Sequence, residues 1–222
     1  MHIAILGTGA VGRGLGTALV AAGHSVTLGS RTSDNPVGQE WAGDTSGRST
    51  DTFGAAAAES QLIINATGGV VSLEALATCD DADLDGKLLI DVANPLDFSD
   101  GFPPHLSVVN TDSLAEQIQQ AHPGARVVKV LNTMSVEVMV DPAAIPGDHL
   151  APMCGDDVEA KAEASALLAD LGWRETQLLD LGGLEAARGM EMWLPLWLRL
   201  YGHVGHPMFN LVLSAPNPRP RG

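Results

Sequence analysis

Residues 2–22, HIAILGTGAVGRGLGTALVAA, decide the fold of this chain. Residues 2–6 alternate and then become continuously apolar, which predicts a buried strand, and the apolar residues of 15–22 recur at helical spacing. The turn between these segments has glycine at positions 7, 9 and 12. A strand, a Gly-x-Gly-x-x-Gly turn and a helix in this order are typical of a dinucleotide-binding unit. A glycine-rich turn that binds nothing is the alternative.

Each glycine of the turn has its own role in such a unit. Gly7 allows the tight turn, Gly9 lets a pyrophosphate approach the backbone, and Gly12 lets the helix pack against the strand. The helix N-terminus presents free N–H groups and the positive end of its dipole to the phosphates. We therefore predict that this turn binds the pyrophosphate of a dinucleotide.

The end of the second predicted strand indicates which dinucleotide binds. The strand covers residues 25–28 and is followed by Gly29, Ser30, Arg31 and Thr32. An NAD site has Asp or Glu about 20 residues after the glycines, where it holds the ribose 2′-hydroxyl. A hydroxyl with a guanidinium instead suits a 2′-phosphate, which a carboxylate would repel. The sequence favours NADP(H); the alternative is that Arg31 is only a solvated loop cation.

The rest of the chain alternates predicted strands and helices, with strands at residues 62–66, 87–93 and 126–131. This alternation predicts an α/β fold, a Rossmann-type doubly wound parallel sheet covered on both faces. We divide the chain into an NADP-binding Rossmann domain, residues 1–148, and a small C-terminal α+β unit, residues 149–222, that closes the site or forms a dimer. Residues 33–54 are predicted to be a loop with at most one short helical turn, and residues 137–148 a loose connection.

Polar or small residues follow three of the predicted strands. They are Ala66, Thr67 and Gly68, then Asn94 before a proline, and then the loop 132–135. Ligands of doubly wound sheets bind beyond the carboxyl ends of strands, so these residues are predicted to meet the inner ribose and the nicotinamide. An ordinary turn at 66–68 and an Asx-type turn at Asn94 are the alternatives.

The last predicted helix, residues 184–201, is apolar around nearly its whole circumference. Such a helix must be buried in its own core or against a second subunit. We expect this helix to form a homodimer interface that also covers the active site. The charged residues Glu185, Arg188 and Glu191 are three apart and are expected to pair with one another along one face.

Composition excludes several classes of partner. The formal net charge of −15 over 222 residues argues against nucleic acid and anionic membranes, which require a basic face.

Cys79 and Cys154 form no metal-ligand spacing and require no disulfide, which suits a reducing cytoplasm. The strand at residues 2–6 leaves no room for a signal peptide, and the apolar run 192–198 is too short to span a bilayer. We expect a cytoplasmic protein without a metal site.

Several segments together resemble the family of NADPH-dependent reductases of the deazaflavin coenzyme F420, with its bacterial relatives. The segments that carry this resemblance cover nearly the whole chain; they are the turn 7–12, Gly29-Ser30-Arg31, the stretches 91–96 and 127–133, Cys154-Gly155-Asp156-Asp157, and the stretch 182–196.

The resemblance implies where the ligands bind. The residues implied for the pyrophosphate are Thr8, Gly9, Ala10 and Val11, and those for the 2′-phosphate are Ser30 and Arg31. The loops implied for the nicotinamide end are Ala66-Thr67, Asn94-Pro95 and the loop from Met134 to Val136. A deazaflavin would lie in a hydrophobic cleft between the nucleotide domain and the C-terminal unit. The segment 97–105 and the asparagine at 132 are similar to the bacterial branch.

The expected chemistry is direct hydride transfer between NADPH and a planar acceptor, coenzyme F420 or a related deazaflavin or flavin, held together in a dry cleft. Such a step requires no covalent nucleophile, and no catalytic residue is assigned. An NADP-dependent dehydrogenase or imine reductase for a small substrate is one alternative; families with a lysine acid in the C-terminal helix are disfavoured because Lys161 is the last lysine. A non-catalytic NADP-binding redox sensor is another.

Overall fold

A computed structural model describes residues 1–215 of the chain. It contains one eight-stranded sheet and a separate two-stranded hairpin. The strands are β1 (His2–Leu6), β2 (Ser25–Ser30), β3 (Arg48–Thr52), β4 (Leu62–Asn65), β5 (Leu88–Asp91), β6 (Leu96–Asp97), β7 (His105–Leu106), β8 (Arg126–Val130), β9 (Ala151–Cys154) and β10 (Leu178–Asp180).

The strand order across the sheet is β10-β9-β8-β5-β4-β1-β2-β3. Strand β1 lies between β2 and β4, with Ile3 opposite Val26 on one side and Leu62 on the other. All neighbouring pairs are parallel except β8 and β9. The carboxyl ends of β1, β4, β5 and β8 therefore meet at one edge of the sheet, and ligands of doubly wound folds bind at that edge.

Helices cover both faces of the sheet. They are α1 (Ala10–Ala21), α2 (Pro36–Ala42), α3 (Phe53–Glu59), α4 (Ser72–Leu76), α5 (Asp81–Leu84), α6 (Leu114–Ala121), α7 (Val136–Val140), α8 (Val158–Asp170), α9 (Ala187–Met192) and α10 (Leu194–Val204). One apolar cluster joins the sheet to α1, α7 and α8, and a second joins it to α3, α4, α6 and α9. The predicted Rossmann-type α/β fold is confirmed.

The prediction of a loop over residues 33–54 is wrong. Helix α2 forms there because the Asn35 side chain accepts a hydrogen bond from Gly38 N at 3.0 Å and Pro36 occupies the first turn. Trp41 of this helix is buried, only 7% exposed. Strand β3 follows as the sheet edge and pairs only with β2, so a polar strand is tolerated there.

The loose connection predicted for residues 137–148 is also partly wrong. It begins with α7, whose Val138 and Met139 are buried against the sheet, and continues into a 3₁₀ turn, Pro142–Ala144. Buried apolar contacts order this segment although its prolines indicate irregular structure.

The predicted last helix is divided into a 3₁₀ turn (Leu184–Ala186), α9 and α10, and Pro195 lies in the first turn of α10. Within α10 only Leu194 is buried, while Leu196 is 52% exposed. The described chain alone therefore does not bury this helix.

Strands β9 and β10, which belong to the predicted C-terminal unit, continue the same sheet. The division at residue 148 stays a prediction, and residues 216–222 lie outside the described residues. No helix among residues 1–215 is both long enough and apolar enough to cross a membrane.

Candidate functional site

The glycine turn has the local geometry that its sequence predicts. Gly7 has a φ of 121°, a conformation that L side chains rarely adopt, and its N–H donates to the Gly29 carbonyl at 2.9 Å. A Cβ on Gly12 would collide with the Gly7 carbonyl. A Cβ on Gly9 would have no neighbour within 4 Å, so this glycine faces open space. Packing therefore requires Gly7 and Gly12 but does not require Gly9.

The N-terminus of α1 borders this open space. Gly9 is the N-cap residue, and no side chain caps the helix there. The first N–H groups of a helix lack partners within the helix, so an uncapped end suits an anion. Arg13 donates from Nη1 to the Thr8 carbonyl at 2.6 Å and so holds the turn from within.

A first cavity, of about 320 Å³, lies between this turn and the end of β2. Arg31 is exposed there and forms no hydrogen bond or ion pair within residues 1–215. The Ser30 hydroxyl donates to the Thr32 carbonyl at 2.6 Å and would have to rotate to donate to a ligand. The lining residues are Gly7, Thr8, Gly9, Ser30, Arg31, Asn35, Phe53, Ala66, Thr67, Gly68, Val71, Glu74, Ala75 and Thr78.

A second cavity, of about 340 Å³, lies beyond the ends of β4, β5 and β8; we call it the cleft. Ala66, Thr67 and Gly68 line both cavities, so the two adjoin along the loop after β4. The cleft is lined by Val11, Ala66, Thr67, Gly68, Gly69, Val70, Val92, Ala93, Asn94, Leu96, Phe98, Asn132, Met134, Met139, Leu194 and Trp197.

The side chains of the cleft are apolar or neutral. Thr67, Asn94 and Asn132 carry polar groups, and no Asp, Glu, Lys, Arg, His, Cys or Tyr is found among the described lining residues. Two polar atoms of the lining, Oδ1 of Asn132 and Nε1 of Trp197, are buried without a hydrogen-bond partner in the described part of the chain. A buried polar atom without a partner is unfavourable, so these two atoms are suited to polar groups of a ligand.

The structure brings most of the predicted site residues to the two cavities. Of the others, Ala10 is the first residue of α1, and Pro95 is buried, with its carbonyl accepting from Ser107 N at 2.8 Å. Val136 packs near Gly14 of α1 rather than lining the cleft.

The cleft contains a pair of amides, Asn94 and Asn132. The sequence analysis predicted that Asn94 and the loop 132–135 meet the nicotinamide, but it did not predict that the two asparagines bond to each other. Asn132 donates from Nδ2 to Oδ1 of Asn94 at 2.9 Å, and Asn94 donates from Nδ2 to the Asn132 carbonyl at 2.8 Å. Asn132 Nδ2 also donates to the Met190 carbonyl of α9 at 3.2 Å. These bonds join the ends of β5 and β8 to α9.

A fully buried ionic triad, which sequence reasoning missed, lies next to this pair. Lys129 Nζ is 2.7 Å from Oδ2 of Asp91 and 2.8 Å from Oε1 of Glu191. Lys129 and Asp91 are 0% exposed, and Glu191 is 1% exposed. Charged residues in the apolar runs 88–92 and 126–131 are the sequence signal that could have indicated such a group, because buried charges require partners.

The electrostatics of the triad follow from two carboxylates that share one ammonium. Burial opposes the charge on Lys129, but Asp91 and Glu191 outweigh it and raise the pKa of Lys129 above its usual value. Burial raises the pKa of Glu191, against the attraction of Lys129. The expected pairing among Glu185, Arg188 and Glu191 is wrong, since Arg188 binds Glu116 in the structure, with Nη2 2.6 Å from Oε1. Helix rotation turns Glu191 into the core and Arg188 towards α6.

Comparisons with known proteins agree with this geometry. Residues 2–95 match the family model described as NADP oxidoreductase, coenzyme F420-dependent. The chain is similar to the crystal structure of a candidate F420-dependent NADP-reductase from Arthrobacter sp. FB24, with a TM-score of 0.91, 45% identity, and coverage of 96% of this chain and 99% of that one.

Two more distant proteins share part of their length with this chain. It is 32% identical over 197 residues to the metalloreductase STEAP3 of Rattus norvegicus. The match covers 88% of this chain but only 36% of that protein. A reductive aminase from Aspergillus terreus, in complex with NADPH and ethyl-5-oxohexanoate, is 21% identical with a TM-score of 0.61 over 92% of this chain and 62% of that one. At that identity the likeness concerns the fold alone.

Proposed function

Because this chain belongs to the family of coenzyme F420-dependent NADP oxidoreductases and is an NADP-dependent oxidoreductase, we propose that it transfers a hydride directly between NADPH and a planar conjugated acceptor. The proposed acceptor is coenzyme F420 or a related deazaflavin or flavin. When bound, NADPH supplies the hydride, and the residues of the chain bind, orient and shield the two reactants.

The first cavity fits the phosphate-bearing half of NADP(H). We assign the pyrophosphate to the backbone of Thr8, Gly9, Ala10 and Val11, where α1 lacks a capping side chain. We assign the 2′-phosphate to Ser30 and Arg31, because the Arg31 guanidinium is exposed and has no partner in the described structure.

The cleft fits the nicotinamide end together with an acceptor. We assign Ala66 and Thr67 to the inner ribose, because they line both cavities. Asn94 and Met134 are assigned to the nicotinamide, with the neighbouring Pro95 and Val136 shaping their loops. Apolar surface for a flat ring is provided by four other residues of the cleft lining, Leu96, Phe98, Leu194 and Trp197.

The observation that carries the choice of acceptor is that no titratable side chain among residues 1–215 lines the cleft. Reduction of an isolated carbonyl or imine is assisted by an acid placed at the oxygen or nitrogen. A conjugated ring instead spreads the charge that arrives with the hydride and can take its proton from water afterwards. The cleft therefore favours a conjugated acceptor over the substrates of a dehydrogenase or imine reductase.

Lys161, the last lysine of the chain, does not provide such an acid. Lys161 lies on α8 and donates to the Asp180 carboxylate at 2.9 Å and to the Gly182 carbonyl at 3.3 Å. It lines neither the first cavity nor the cleft.

We further propose that the protein is a homodimer in which a second copy covers α10. This helix carries Leu196, Tyr201 and Val204 as exposed side chains, which are 52%, 39% and 42% exposed in the described chain. Exposed apolar side chains that cluster on one element are typical of an interaction surface. Such a dimer would also close the cleft, because Leu194 and Trp197 of the same helix line it.

Stopped-flow absorbance tests the proposed reaction. The protein is mixed with NADPH and an oxidised deazaflavin, and both absorbances are followed. We expect rapid, stoichiometric loss of both, with a primary isotope effect when the transferred hydrogen of NADPH is deuterium. NADPH oxidation only with a carbonyl or imine would support the dehydrogenase alternative. Tight binding of NADP(H) without oxidation by any acceptor would support the redox sensor.

A further inference from the structure

Each member of the buried triad connects to a residue that lines the cleft. The Lys129 ammonium donates to the Ala93 carbonyl at 2.6 Å, and Ala93 is itself part of the lining. This bond fixes the backbone immediately before Asn94, where the chain leaves β5.

The Asp91 carboxylate connects to the loop after β4. Its Oδ1 accepts from Nδ2 of Asn65 at 2.9 Å, and Oδ1 of Asn65 accepts from Oγ1 of Thr67 at 2.7 Å. Thr67 lines both the first cavity and the cleft. Asp91 thereby sets the loop that we assign to the inner ribose.

The Glu191 carboxylate connects to the amide pair and to α6. It accepts from the backbone N–H groups of Leu114 and Ala115 at 2.9 and 3.2 Å, at the first turn of that helix. Met190, the residue before it, holds the Asn132 amide through its carbonyl at 3.2 Å. Glu191 thus fixes the part of α9 that orients the amide pair.

Stability alone gives a weak reason for such a triad. The cost of desolvating buried charges can exceed their attraction, and replacing a buried ionic triad with apolar residues can leave stability unchanged or raised. Charge-assisted hydrogen bonds differ from apolar packing because they are directional, and they fix distances between the elements that they join. Here they join β4, β5, β8, α6 and α9 around one cleft.

We propose that Lys129 is a positioning residue, and that with Asp91 and Glu191 it holds three walls of the cleft at the spacing that hydride transfer requires. This inference rests on the proposed function. Lys129 touches neither ligand site, so it acts through Ala93, Thr67 and the amide pair.

A selective effect on the nicotinamide end follows from this geometry. The affinity for NADPH depends mainly on the phosphate contacts in the first cavity, which the triad does not form. Small displacements of reacting groups cost about 100-fold in rate. In a Lys129→Met variant we therefore expect hydride transfer to slow by about 10- to 100-fold, while the dissociation constant of NADPH changes by less than about threefold.

The matched control is Lys161→Met. Lys161 is also buried, at 8% exposure, and binds a carboxylate and a carbonyl, but it does not line the cleft and bonds to no residue that does. Glu191→Gln is the milder second variant, because glutamine keeps the shape of the side chain and can still accept from one of the α6 N–H groups. Glu191→Gln replaces Lys129→Met in the experiment if Lys129→Met does not fold.

The experiment compares the full-length variants in two assays. NADPH titration, followed by the emission of the bound nicotinamide, needs no acceptor: affinity reports the phosphate end, and the emission change reports the order of the nicotinamide end. Single-turnover oxidation with deuterated NADPH then measures the hydride step. We expect a reduced emission change and a slower, isotope-sensitive step in Lys129→Met, near-normal affinity, and wild-type behaviour in Lys161→Met.

Three results would overturn the inference. The first is an unchanged emission change and an unchanged hydride-transfer rate in Lys129→Met. The second is a loss of emission in Lys129→Met that only follows a loss of NADPH affinity, and the third is an equal effect of Lys161→Met on emission and rate. If none of the planar acceptors supports NADPH oxidation by the wild type, the proposed function fails. The emission assay still decides the role of Lys129 in that case.

Discussion

Asn94 and Asn132, 38 residues apart in the chain, exchange two hydrogen bonds of 2.9 and 2.8 Å at the carboxyl ends of β5 and β8. One bond joins the two side-chain amides and the other ends on the Asn132 backbone. The pair therefore fixes both the orientation of the Asn94 side chain and the spacing of two loops that line the cleft. It is the polar centre of a cleft whose other side chains are mostly apolar.

Arg31→Ala should remove the preference for NADPH over NADH. A hydrogen bond to a charged group contributes about 1.5–3 kcal/mol, so we expect NADPH affinity to fall by about 10- to 100-fold. NADH affinity should hardly change, since NADH lacks the 2′-phosphate. Titration with both nucleotides measures this, with the exposed Arg174→Ala as the control. Equal wild-type affinities for the two nucleotides would contradict the NADP(H) assignment.

Gly9→Ala and Gly12→Ala should separate binding from folding. A Cβ at Gly9 would have no neighbour within 4 Å, so the variant should fold normally but bind NADPH at least about tenfold more weakly, because the methyl group would face the assigned pyrophosphate position. A Cβ at Gly12 meets the Gly7 carbonyl, so that variant should lose about 1–3 kcal/mol of unfolding free energy. Thermal unfolding and NADPH titration of both variants test this. Full NADPH affinity in Gly9→Ala would contradict the assigned pyrophosphate position.

The two thiols should be unreactive in the folded protein. Burial raises the pKa of Cys79 to about 11 and that of Cys154 to about 12. The thiolate is the reactive form, so at pH 8 we expect no labelling by a thiol reagent until denaturant is added, and then two labelled thiols per chain. Rapid labelling of native protein, detected by mass spectrometry, would contradict the burial of either residue.

The Glu116–Arg188 pair should make stability depend on pH. The hydrogen bond from Arg188 lowers the pKa of Glu116 below its ordinary value of 4.5. A lowered carboxyl pKa stabilises the folded state above that ordinary value, and the contribution is lost as the pH falls through the folded pKa. The difference in urea stability between wild type and Arg188→Met should therefore shrink between pH 6 and pH 3.

Arg174→Met is the control for this experiment. Its pair with Asp148 is exposed on both sides, so its removal should change stability little at any of these pH values. A wild-type advantage over Arg188→Met that is constant with pH would show that packing, rather than the carboxylate, is responsible.

The oligomeric state should depend on α10. We expect light scattering to give a mass near twice the 23.0 kDa of one chain and a Leu196→Glu variant to be monomeric, because a charge in an apolar interface is unfavourable. Val37→Glu, on the exposed side of α2, is the matched control and should keep the wild-type mass. A monomeric wild type would remove the proposed dimer without affecting the fold.

The sequence by itself determined the unit made of β1, the glycine turn, α1 and β2. The strand, the glycine turn, α1 and the Ser30-Arg31 tip are contiguous, and backbone geometry together with apolar periodicity specifies such local units. The same reasoning missed α2 and β3, where a side-chain cap, one buried tryptophan and an edge pairing outweigh a polar composition.

Only the tertiary structure decided how the cleft is built. The amide pair and the Lys129 triad join residues from β5, β8 and α9 that are 38 or more positions apart. No local spacing encodes such a pairing; it depends on which strand lies beside which and on the rotation of α9. That rotation turned Glu191 inward to Lys129 and Arg188 away to Glu116, although helix spacing alone placed the two on one surface.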